Sequence, residues 1–181
     1  MKHTVTEIQL KNGARGLLIH VPGAQVMSSR IQFRAGTRYV RDKSIEETAH
    51  IMEHMAFGAN ARFKDAAEFD AEFTKNGAYF NATTADYSMV YMTDCADFEW
   101  DRILELQQLS ITKPRFIDEE LKSEAGNVRN ELNGYLNNHM WVLWSKMAQV
   151  LGEDVLTWQE RVKTIGNVTV ADIREHYRRT H

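Results

Sequence analysis

Residues 4–21 read TVTEIQLKNGARGLLIHV, and this stretch decides what kind of sheet the chain builds. Apolar residues recur in a strand-like pattern on both sides of Asn12-Gly13. Asn-Gly between two such runs is a strong hairpin signal, because both residues tolerate the positive φ of a type I′ turn. The stretch therefore predicts two antiparallel strands.

Further strands and several helices follow this hairpin. Strand-like patterns are found over residues 25–35 and again over residues 79–93. Helical patterns are predicted over residues 45–57, 64–75, 97–111, 118–151 and 169–177. Ser44 is the expected N-cap of the first helix, and a bend at Gly126 or Gly134 is expected in the fourth. A capping box, Thr169-Val-Ala-Asp172, is expected to start the last one.

This succession of strands and helices predicts one domain of the α+β class. A two-layer domain is expected, in which a mixed, largely antiparallel β-sheet packs against helices. The length of 181 residues suits one domain, and 43% hydrophobic with 26% charged residues excludes a disordered chain.

Composition also excludes some partners. A net charge of −3 with scattered basic residues argues against nucleic-acid binding. No apolar stretch approaches the roughly 18 residues that a membrane span needs.

The single cysteine, Cys95, cannot form an internal disulfide, which fits a reducing compartment. A cytoplasmic location is the expectation, with periplasmic and organellar locations left open.

The pentapeptide His50-Ile51-Met52-Glu53-His54 carries the chemistry. Residues four apart share one face of a helix, so both imidazoles can converge on one zinc ion. Glu53 lies beside them, where a glutamate can take a proton from a metal-activated water and pass it on. The order His-x-x-Glu-His is the inverzincin arrangement. The competing interpretation is an ordinary helix face with two exposed histidines.

Two histidines are too few for a catalytic zinc, which usually takes three protein ligands. The long helical region offers Glu124 and Glu131, seven residues apart and therefore on one face. By themselves these two residues are typical of a solvated, charged helix face.

His50-x-x-Glu53-His54 followed by Glu131 resembles the signature of the pitrilysin/insulysin family of zinc peptidases. The resemblance implies one zinc ion per chain, held by His50, His54 and Glu131, with Glu53 as the catalytic residue. It further implies that Glu124 supports the metal site from the outer shell, where a carboxylate orients a ligand histidine.

Two more segments are similar to the family pattern: Met55-Ala-Phe57 after the second histidine, and Asn81-Ala82-x-Thr84. In the family the second segment is an edge strand that accepts substrate as an added strand. The resemblance therefore predicts that Asn81, Ala82 and Phe57 contact substrate. Alternatively, Asn81 simply belongs to a turn.

The chain departs from the family pattern on both sides of the pentapeptide. Three residues before His50 the family often has Gly, whereas this chain has Glu47. After Phe57 the usual basic and small residues are replaced by Gly58-Ala59-Asn60. Neither change removes an expected ligand.

Enzymes of this family consist of two related halves that close around an unfolded peptide. The resemblance implies that residues 1–181 form a single catalytic half-domain, without its last strand and without the second half. That second half is expected in the same chain or in a partner subunit. A homodimer is also open, because an exposed edge strand can pair with a second copy.

The predicted function is that of a zinc-dependent endopeptidase acting on peptides or unfolded polypeptides. The alternative is a non-catalytic peptide-binding or partner subunit, which would have little reason to keep all four residues. A structural zinc site is a third possibility, but such sites usually have four ligands and favour cysteine.

Overall fold

A computed structural model describes residues 2–181. The strands are β1 Thr4–Gln9, β2 Arg15–His20, β3 Val26–Phe33, β4 Tyr79–Thr84 and β5 Met89–Ala96. The helices are α1 Thr48–Met55, α2 Ala66–Thr74, α3 Trp100–Thr112, α4 Asp118–Leu136, α5 His139–Val150, α6 Trp158–Thr164 and α7 Val170–Thr180.

The N-terminal hairpin is present, but not with the predicted type I′ turn. Strands β1 and β2 pair antiparallel from Thr4↔His20 to Gln9↔Arg15, and residues 10–14 connect them. Gly13 donates its N–H to the Leu10 carbonyl at 2.9 Å and has a φ of +87°, whereas Asn12 lacks the positive φ that a type I′ turn requires. The hairpin forms a sheet of its own, however, separate from the other strands. Its apolar side chains are exposed, Leu17 at 63%, so the hairpin contributes little to the core.

The second sheet has the strand order β3-β5-β4 and lies under the helices. Both of its ladders are antiparallel. Along β5 buried and half-buried residues alternate, as expected for a central strand with one face on a core. Strand β4 lies at an edge of this sheet. Among the described residues all paired strands are antiparallel. The predicted α+β class is therefore confirmed, but the predicted mixed sheet contains no parallel pair.

Two apolar clusters join helices to the β3-β5-β4 sheet. The larger cluster packs α1, α4 and α7 against the sheet through Met52, Tyr91, Leu132 and Ile173, among others. The smaller cluster places Phe69 and Phe73 of α2 against α3 and β5 and includes Cys95, a buried free thiol. The layer of helices over a sheet is therefore as predicted.

The first predicted helix is shorter than expected. A separate 3₁₀ turn, Lys43–Ile45, precedes α1, and Asp42 caps that turn by accepting the Ser44 backbone N–H at 2.7 Å. The prediction of Ser44 as the N-cap is therefore wrong. Helix α1 begins only at Thr48 and ends at Met55.

The long helical region, predicted as one pattern over residues 118–151, divides at Asn137-Asn138, whereas α4 continues through Gly126 and Gly134. The Asn138 side chain caps α5 by accepting N–H groups from Met140 and Trp141. This cap supplies a stronger local start signal than a glycine in a helix interior, which only weakens the helix.

Helix α6 was missing from the prediction, although Thr157 and Glu160 form a capping box at its start. The expected capping box of α7, Thr169 with Asp172, is present. Within residues 2–181 no helix is both long and apolar enough to cross a bilayer.

His176 on α7 makes the stability of this fold sensitive to pH. The ring is buried, and its Nε2–H donates to the Ala35 carbonyl at 2.9 Å. Burial lowers the pKa of His176; the bond to Ala35 opposes this shift and the nearby Arg179 adds to it. The unfolded chain therefore takes up a proton at His176 at a higher pH than the folded chain does.

We expect His176 to make the metal-free protein lose stability as the pH falls through about 6.5, the ordinary pKa of histidine, while the raised pKa of His54 acts in the opposite direction. His176→Gln should flatten this loss by up to about 1.4 kcal/mol per pH unit, the contribution of one proton. Urea unfolding at several pH values between 5 and 8 measures the difference. Parallel curves for wild type and variant would contradict it.

Candidate metal centre

Two packed helices bring the predicted ligands together. Helix α1 buries Ile51, Met52 and Met55 in the core, which leaves His50, Glu53 and His54 on another face. Helix α4 is anchored across from it by buried Val128 and Leu132. Its glutamates, Glu124 and Glu131, thereby reach the histidines of α1.

His50, His54 and Glu131 each offer a ligand atom, and these atoms lie within 4.8 Å of one another. Nε2 of His50 lies 3.4 Å from one Glu131 carboxylate oxygen, and Nε2 of His54 lies 3.5 Å from the other. Ligands about 2.0–2.1 Å from a tetrahedral zinc are separated by about 3.3 Å from each other. The spacing in this chain fits such an ion.

Both histidines are held from behind by carboxylates. Nδ1 of His54 lies 3.1 Å from Glu124, and Nδ1 of His50 lies 3.2 Å from Glu47. A neutral imidazole has one N–H, and when Nδ1 donates it, Nε2 carries a lone pair. Two such lone pairs then face the negatively charged Glu131 carboxylate, and a cation between these groups would stabilise the arrangement.

In the metal-free chain the same negative groups attract protons. Burial lowers the pKa of His54, but the bond to Glu124 and the charges of Glu131 and Glu53 outweigh it and leave the pKa raised. The bond to His54 in turn holds the pKa of Glu124 below its ordinary value. The site is thus electrostatically tuned to accept positive charge.

Glu53 lies on the same face of α1 and is only 8% exposed. Its Oε2 accepts a hydrogen bond from the Thr84 hydroxyl at 2.5 Å. Thr84 closes strand β4, so the sheet fixes the orientation of the carboxylate beside the histidines. Thr84 is the last residue of the Asn81-Ala82-x-Thr84 segment, but no pattern in that segment predicts its hydrogen bond to Glu53.

The three predicted substrate residues lie in different surroundings. Asn81 is exposed in the edge strand, so the alternative of a turn does not apply. Its Oδ1 accepts the Ala82 backbone N–H at 2.9 Å. The Ala82 side chain is buried, and half-buried Phe57 packs on Phe80 with ring centres 4.9 Å apart. At Ala82, therefore, only the backbone and not the side chain could contact a ligand.

A cavity of about 140 Å³ opens beside His50. Aromatic side chains of Tyr135, Trp141 and Trp158 line it, and the rings of Trp141 and Trp158 stack 6.0 Å apart. Trp141 and Trp158 both pack on Tyr135 and line this cavity. Trp144, in contrast, is exposed.

Gly58, one of the changed residues after Phe57, lies close to α4. Glu120 of α4 crosses over it, and its Oε1 accepts the Ala59 backbone N–H at 2.8 Å. A Cβ on Gly58 would come within 2.9 Å of all three atoms of the Glu120 carboxyl group. The hydrogen bond from Ala59 thus ties the segment after α1 to α4.

Comparison with known proteins identifies the family of this chain. The family profile described as "Insulinase (Peptidase family M16)" matches residues 15–153. Mitochondrial-processing peptidase subunit beta of Caenorhabditis elegans is 27% identical over 93% of this chain and 38% of its own length. Mitochondrial-processing peptidase subunit alpha of Neurospora crassa is 27% identical over 87% of this chain and 26% of its own length.

A solved structure shares the fold. A protease from Helicobacter pylori superposes with a TM-score of 0.81 at 20% identity, over 97% of this chain and 43% of that chain. The chain thus spans less than half the length of these relatives. Since the profile covers most of the chain, from β2 through α5, the chain belongs to the insulinase family of peptidases, family M16.

Proposed function

We propose that this chain is the zinc-dependent catalytic half-domain of an endopeptidase that hydrolyses peptides or unfolded polypeptides. The observation that carries the proposal is the convergence of His50, His54 and Glu131 at ligand spacing, with Glu53 beside them. Membership of a peptidase family supports the reaction class.

His50, His54 and Glu131 would hold the ion. A bound zinc ion supplies Lewis acidity, which polarises a carbonyl and lowers the pKa of water toward about 7. Glu53 would take the proton of the attacking water and deliver it to the leaving amine. The hydrogen bond from Thr84 would keep the accepting carboxylate in place during both transfers.

Strand β4 would align the substrate. It is an edge strand and ends at Thr84, next to Glu53, so a peptide added along it would run toward the metal. Such pairing uses backbone hydrogen bonds and therefore tolerates many sequences. The Asn81 side chain already occupies the Ala82 N–H, so substrate would have to displace it.

A second half, in the same chain or in a partner subunit, would complete the site. The relatives are longer than this chain, and two of them carry subunit names of one processing peptidase. Those two names also mention mitochondria, so the cytoplasmic location stays a prediction beside an organellar one. A second copy of this chain could also serve as that partner, and the proposal includes this homodimer.

The metal assignment predicts about one zinc ion per chain. His50→Ala and Glu131→Ala should each lose it, because two remaining ligands hold zinc poorly. Glu119→Ala, at an exposed position of the same helix α4, serves as the control and should retain it. Elemental analysis after dialysis measures the content. Full zinc in both ligand variants would show that other residues bind the metal.

Glu53→Gln should keep its zinc and lose activity. Proton-transfer catalysis contributes typically about 10²–10⁴-fold, so kcat should fall by that order. Cleavage of an unstructured quenched-fluorescent peptide by the complete enzyme measures it, with Glu119→Gln as the matched control. Wild-type zinc content without any cleavage would favour the non-catalytic subunit, and unchanged cleavage by the variant would exclude Glu53 from the mechanism.

A further inference from the structure

Glu47 is a fully buried carboxylate at the start of α1, 0% exposed. Burying a carboxylate is costly unless charged or hydrogen-bonding partners surround it. Both of its oxygens have such partners: Oε1 accepts from Nε of Arg161, and Oε2 lies 3.2 Å from Nδ1 of His50. The carboxylate therefore bridges an arginine of α6 and a predicted metal ligand.

Arg161 is itself held in place. Its guanidinium lies over the Trp158 ring, 4.6 Å from the ring centre, and its Nε lies 3.8 Å from Glu46. The Trp158 ring and the hydrogen bond to Glu47 restrict the position of this cation, whereas Glu46 lies beyond hydrogen-bond distance of it. Glu47 in turn has one orientation that satisfies both of its partners.

We propose that Glu47, clamped by Arg161, is a positioning residue that holds His50 with Nε2 directed at the metal. It would do for His50 what Glu124 does for His54. The pattern that the sequence resembles often has Gly here, which offers no such partner. This inference rests on the proposed metal site and adds a second outer carboxylate to it.

The geometry gives both histidines the same environment. Each Nδ1 has a carboxylate oxygen at 3.1–3.2 Å, and each Nε2 has a Glu131 oxygen at 3.4–3.5 Å. A carboxylate behind a ligand histidine fixes its tautomer and raises its basicity, and its loss typically weakens metal binding by about 10–100-fold. Glu47 also compensates the charge of Arg161 near the site.

The test compares zinc dissociation constants of wild type, Glu47→Gln, Glu124→Gln and Glu46→Gln by competition with a chelator. Glu47→Gln and Glu124→Gln should each bind zinc about 10–100-fold more weakly. Glu46→Gln is the matched control: it removes a carboxylate near Arg161 that the structure does not bring to His50. Its affinity should stay within about threefold of wild type, as for a weak ion pair.

Melting of the metal-free proteins separates positioning from folding, because a merely structural Glu47 would lower the melting temperature without changing zinc affinity. Unchanged affinity in Glu47→Gln, or equal weakening in Glu46→Gln, would overturn the inference while leaving the metal site intact. A wild-type protein that binds no zinc would overturn the proposed function as well.

A measurement on the wild type covers the case in which Glu47→Gln does not fold. Zinc-loaded protein labelled with ¹⁵N-histidine should show two rings whose Nε2 is bound to zinc, and the Nδ1–H proton of each should exchange slowly with water because a carboxylate accepts it. Assignment follows from the loss of one signal in Glu124→Gln. If the remaining His50 proton exchanges rapidly, the bond to Glu47 is absent and the inference fails.

Discussion

Lone pairs converge between α1 and α4, and the rest of the structure is arranged around this constraint. Two imidazole nitrogens and a carboxylate meet within 4.8 Å, each imidazole being backed by a further carboxylate. With both imidazoles neutral and no cation bound such a group is self-repelling, so the free energy that keeps it together comes from elsewhere. It comes from the apolar faces of the same helices, on which Met52, Met55, Val128 and Leu132 are buried.

The sheet contributes the remaining part of the chemistry. Strand β5 is the buried centre, and β4 is left at the edge with Thr84 hydrogen-bonded to Glu53. In the proposed mechanism this strand end orients Glu53 as the proton acceptor, and among the described residues no strand pairs with the outer edge of β4. The position of β4 would therefore connect substrate alignment with proton transfer.

Local signals in the sequence predicted what local structure determines. The hairpin around Asn12-Gly13, the shared face of His50 and His54, and the capping box at Thr169 all depend on residues close in the chain. Glu131 could be assigned only through the family resemblance, because no local pattern pairs it with the pentapeptide. The structure brings it there through α1–α4 packing.

The contacts that escaped prediction depend on packing between distant segments. Glu47 stood out only as a departure from a family pattern, since its partner Arg161 lies on α6, a short helix that was not predicted. Thr84 reaches Glu53 across 31 positions of sequence. Asp42 and Asn138 replaced the expected boundary signals because their side chains found backbone N–H groups to cap.

The central claim is that His50, His54 and Glu131 together hold one zinc ion. Crystals of the zinc-loaded protein, measured on both sides of the zinc absorption edge, test it most directly. The account predicts one anomalous peak bonded to Nε2 of both histidines, at about 2.0–2.1 Å, and to a Glu131 carboxylate oxygen. A peak elsewhere, or one bonded to Nδ1 of either ring, would contradict it.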